Sequence, residues 1–77
     1  MRGVNLKVSM LLAKAGVMLA DIPALPKEEW PAPLTEARAF LEQALRGARA
    51  TGHSQLIERT EQQVAAHLQT IEALSDK

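Results

Sequence analysis

Between Val4 and Ile22, apolar residues return at alternating steps of four and three: Val4, Val8, Leu11, Ala15, Met18 and Ile22. This spacing sets them along one seam of an α-helix, which Leu12 and Leu19 widen. Turning the helix by about 100° per residue gathers Leu6, Met10, Ala13 and Val17 into a second apolar patch on the far side. Thin polar strips divide the two faces, with Lys7, Lys14 and Asp21 along one edge and Asn5, Ser9 and Gly16 along the other. A helix that is apolar on two sides calls for burial on two sides. The pattern predicts a first helix over 4–20. It ends near Ile22, which precedes Pro23, because a residue before proline is pushed out of the α region.

Pro23, Pro26, Pro31 and Pro33 then follow in close succession, so 21–33 reads as a connector without regular helix or central strand. On a polyproline course of about 3.1 Å per residue, this segment is long enough to run back beside the first helix. The second helix is therefore expected to start near the same end as the first, and a tight antiparallel turn is not expected here. Trp30 sits mid-connector. As an anchor it would pin the connector to the helices by burying ~200 Å². As an exposed residue it would be a partner-binding hot spot. Pro23-Ala24-Leu25-Pro26 also has the P-x-x-P spacing, a match that any proline-rich linker of this length throws up.

Leu34, Ala37, Leu41, Ala44, Leu45 and Ala48 form one stripe with Phe40 on its edge, predicting a second helix over 34–50. Thr35 is a candidate N-cap, Pro33 an alternative first-turn residue, and Gly52 is placed for a left-handed C-cap. Leu56, Ile57, Thr60, Val64, Leu68, Ile71 and Leu74 predict a third helix over 54–74 capped by Ser54. The short connection between these two makes them an antiparallel hairpin. The expected fold is all-α: one small three-helix domain over 1–77, built on that helical hairpin. It is expected to be oligomeric, because the second patch of the first helix needs cover.

Composition agrees with helix and narrows the chemistry. The chain has 77 residues, room for one domain with a small core. It has no cysteine, so neither a disulfide framework nor a thiolate metal site is available. Nine basic residues balance nine acidic ones, a poor basis for gripping phosphate backbones. The histidines are His53, in the loop between the second and third helices, and His67, at a margin of the third helix's stripe. No carboxylate lies three or four residues from His67, so no helical metal triad is expected. Glu28 and Glu29 read as solvated neighbours, and no nucleophile–base–orienter set emerges. The chain is expected not to be an enzyme and to need no cofactor, metal or small-molecule substrate. A helix-turn-helix would want basic or amide residues where Gln55, Glu58, Arg59 and Glu61 stand, with more acid than base.

The half from Leu34 to Leu74 resembles the helical hairpins of small type III secretion co-chaperones. Leu41-Glu42-Gln43-Ala44-Leu45 and Glu61-Gln62-Gln63-Val64-Ala65, around a Gly-containing turn, carry the likeness. Met1–Pro33 departs from it, and no functional residue is carried over.

The expected role is a protein–protein interaction module (an adaptor, co-chaperone or inhibitor) that buries an apolar helix face against a partner protein or a second copy. Its candidate partner-binding residues are Leu6, Met10, Ala13 and Val17, with Lys7 and Lys14 along the edge and Trp30. The alternative is a dimeric nucleic-acid-associated regulator using Arg2, Lys7 and Lys14, although the charge balance makes nucleic acid a disfavoured partner. Lys14 interrupts the apolar run, so neither a signal peptide nor a membrane span is expected, and a cytoplasmic location is.

Overall fold

A computed structural model describes the backbone of residues 2–76 and the side chains of residues 6–76. Among these residues the fold is all-α: α1 (Arg2–Asp21), α2 (Pro31–Thr51) and α3 (Ser54–Ser75), with two 3-10 turns, Ile22–Ala24 and Lys27–Glu29, between the first two helices. The inner seam of α1 is buried at Val8, Leu11, Leu12, Ala15, Leu19 and Ile22. Met18 is partly covered, and Val4 lies outside the described side chains. From α2 the core takes Ala37, Leu41, Ala44 and Ala48; from α3 it takes Thr60, Val64, Ile71 and Leu74.

α1 packs more extensively on α2 than on α3. Small residues explain this closeness. Ala15, Ala37, Ala44 and Ala48 are fully enclosed, and a Cβ added to Gly47 would sit 3.1 Å from Val8 Cγ2. Without long side chains between them, the two backbones approach closely. Val8 lies by Gly47 and Lys14 by Phe40, so α2 runs opposite to α1. Arg49 of α2 pairs with Glu61 of α3 at 3.3 Å, and a Cβ added to Gly16 of α1 would sit 3.6 Å from the His67 ring.

The connector is not the extended strap that its prolines suggested. Pro23 stands in the first turn of one 3-10 segment and Pro31 at the first position of α2, with Pro33 inside that helix's first turn. Only Leu25 and Pro26 adopt extended backbone. Proline is compatible with the start of a helical turn, because its missing N–H would have no intrahelical partner there. The chain therefore reverses compactly, and α2 begins at the opposite end of the molecule from the start of α1. Trp30 secures the reversal: its Nε1 donates to the Leu25 carbonyl at 2.8 Å, and its ring packs on the core. Trp30→Phe removes that hydrogen bond while keeping an apolar ring. The expected cost is about 1 kcal/mol, read as a lowered urea midpoint at unchanged slope.

Two cap assignments also change. Trp30 is the residue before α2, and the Thr35 hydroxyl donates instead to the Pro31 carbonyl at 3.0 Å inside the helix. His53, not Ser54, precedes α3, and its backbone N–H donates to Thr51 Oγ1 at 3.1 Å. Gly52 does close α2, with φ of +73° and its N–H donating to the Arg49 carbonyl. A Cβ is strained at that φ, so Gly52→Ala is expected to lose about 1–2 kcal/mol in thermal or urea melts, although nothing lies within 4 Å to clash.

Candidate interaction surface

The Cα framework extends 40 × 19 × 14 Å, a shape in which every helix has one side on the surface. For α2 and α3 that side is mostly polar, with Leu68 of α3 the one large apolar residue at its rim. For α1 it is not. Leu6 is 63% exposed, Met10 52% and Val17 61%, with Ala13 exposed among them. The inner seam already occupies the side of α1 that α2 and α3 can reach. Turning a helix by half a revolution leaves the second patch facing away from both neighbours.

Lys7 and Lys14 lie along the edge of this stripe that faces α2. Lys7 lines a groove with Leu11, Gln43 and Arg46, and Lys14 Nζ stands 5.9 Å from the centre of the Phe40 ring. Phe40, half-buried, extends the apolar surface from α1 onto α2. Together with Ala13, Lys14, Val17 and Met18 it lines a shallow groove of about 400 Å³. The sequence pattern marked Phe40 only as the margin of the α2 stripe. Its place beside the outward face of α1 depends on the antiparallel course of α1 and α2, which the expected extended connector did not allow.

Six of the seven candidate partner-binding residues, Leu6, Lys7, Met10, Ala13, Lys14 and Val17, thus lie along one side of α1. Trp30 does not join them. It lines a separate groove of about 560 Å³ with Lys27, Leu34, Arg38, Ile71 and Leu74, and its indole N–H is engaged by the connector. Lys27 Nζ lies 5.9 Å from its ring centre. The Trp30 contacts are those of an anchor.

Among the described residues no cluster of His, Asp or Glu is arranged to hold a metal ion. His67 packs by the edge of Gly16, and His53 is exposed in the turn before α3. No helix among the described residues is long and apolar enough to cross a membrane. The chain matches no family model, no curated protein and no solved structure. Nothing is therefore carried over from the co-chaperone resemblance.

Proposed function

We propose that this chain is a non-enzymatic protein–protein interaction module of the cytoplasm, acting as an adaptor, co-chaperone or inhibitor through the outward face of α1. The observation that carries the reading is the contiguous exposure of Leu6, Met10 and Val17 on a helix whose other side is fully used by the core. Clustered exposed apolar residues of this kind mark interaction sites in small soluble domains. In this reading α2 and α3 act as an antiparallel hairpin that holds α1 in place, so the docking face is presented already ordered. Binding buries the stripe in a partner's apolar groove, in the manner of a helix-in-groove complex. Lys7 and Lys14 on the rim add orientation and on-rate rather than most of the affinity.

The nucleic-acid reading is weaker on the same geometry. Of Arg2, Lys7 and Lys14, the Arg2 side chain lies outside the described residues, and the two lysines flank a stripe of Leu, Met, Ala and Val. Salt separates the two: apolar docking persists at high ionic strength, whereas phosphate binding collapses.

Site-specific photo-crosslinking in the native host tests the proposal. A photoreactive residue at Ala13, in the middle of the stripe, is expected to give discrete protein adducts that survive high salt. The same probe at Gln62, on the exposed side of α3, is expected to give none. Equal labelling at both positions, or none at Ala13, would overturn the proposal.

A further inference from the structure

We propose that the occupant of the outward face of α1 is α1 of a second copy of the chain, laid antiparallel across a two-fold axis. This rests on the reading of that face as a docking surface and names its occupant. The stripe continues past Val17 to exposed Ala20, so beyond Leu6 large and small residues alternate along it: Met10, Ala13, Val17, Ala20. Steps of four and three let two such stripes interlock as knobs and holes, and the charges along their edges then choose orientation and register.

Those edges are informative. Lys7, Lys14 and Asp21 recur at intervals of one heptad along the same side, all exposed, while Ser9 and Gly16 follow the other side. In an antiparallel two-fold pair, each edge meets its own counterpart running the other way. The cation near the start of one helix then meets the anion at the end of the other, giving Lys7 opposite Asp21 twice. A parallel pair would instead bring this edge against Ser9 and Gly16 and leave its charges unanswered. The ion pair of Arg49 with Glu61 lies away from this edge, and Lys7 and Asp21 are both exposed.

Register follows from the same charges. Setting Met10 against Ala13 and Leu6 against Val17 of the second copy would place Lys7 beside Lys14. Moving the pair by one heptad sets Val17 against Ala13 and Met10 against Ala20, large against small, brings Lys7 beside Asp21, and leaves Leu6 beyond the end of the second copy's α1. Like charges exclude the first arrangement and opposite charges favour the second. In that register Lys14 meets Lys14 of the second copy at the two-fold, one like-charge pair against two opposite-charge pairs, and its Nζ stands 5.9 Å from the centre of the Phe40 ring.

Sedimentation of charge variants of the full chain tests this. Lys7→Asp alone and Asp21→Lys alone each replace two attractive pairs with two repulsive ones, and each is expected to weaken the dimer about tenfold. Mixing the two variants is expected to restore wild-type association, because the mixed dimer regains both opposite-charge pairs. Failure of mixing to restore it overturns the antiparallel pairing. The chain has no cysteine of its own, so introduced thiols report register cleanly. Ala13→Cys mixed with Val17→Cys should form the mixed disulfide readily, whereas preferential linkage of Met10→Cys to Ala13→Cys overturns the register. A wild-type chain that stays monomeric at millimolar concentration removes the second copy as occupant. The Ala13 photo-adduct then decides separately whether the face docks another protein.

Discussion

Leu41→Ala is expected to destabilise the chain by about 2–5 kcal/mol, whereas Leu68→Ala is expected to cost less than about 1 kcal/mol. Both leucines lie on the apolar stripes that the sequence assigns to the core. Leu41 is 1% exposed, at the level where the buried residues of all three helices meet, so truncation leaves a void that close-packed neighbours cannot fill. Leu68 is 36% exposed and gives up a side chain that water already reaches. A domain of this size holds only roughly 4–12 kcal/mol in total. A loss of that size is a large share of the total, so the Leu41 variant should melt well below the wild-type chain. Urea melts followed by circular dichroism measure both. Equal losses at the two positions would mean that the seam between α2 and α3 is misplaced.

The difference between Leu41 and Leu68 shows where periodicity runs out as a guide. On α1, Val8, Leu11, Ala15 and Ile22 of the seam reach the core, while Met18 is only partly covered and lines the outward groove. On α3 the steps drift around the helix, so Thr60, Val64, Ile71 and Leu74 are enclosed while Leu68 lies at the rim. His67, next to it, turns towards Gly16 of α1 instead. The pattern gives the face of a helix but not the width that its neighbours cover.

The connector failed for a different reason. Four prolines exclude a continuous helix, yet each is compatible with the opening of a new turn, and Pro23, Pro31 and Pro33 are used in that way. Composition could not separate an extended strap from a chain of turn starts. With the direction of α2 misjudged, the contribution of Phe40 to the outward surface was out of reach. The candidate stripe itself was fully legible, since it needs only the period of one helix.

The second large effect concerns that stripe. Met10→Asp combined with Val17→Asp replaces two apolar side chains that are more than half exposed, so the core is untouched. Helix propensity changes by a few tenths of a kcal/mol at each position, and the melting curve should shift by about 1 kcal/mol or less. Docking should respond very differently. Two carboxylates would have to be carried into an apolar interface with Lys14 the one cation within a helical turn of both, a desolvation cost that strongly weakens binding. A chain that folds as before and no longer docks is the signature of a surface reserved for binding.

The Ala13 photo-adduct, compared in the wild-type chain and in the Met10→Asp, Val17→Asp chain, examines this most directly, with matched melts establishing that both are folded. We expect a strong, salt-resistant adduct in the first and its disappearance in the second. An adduct of the same partner and the same yield in both chains would contradict the assignment of the outward side of α1 as the binding face.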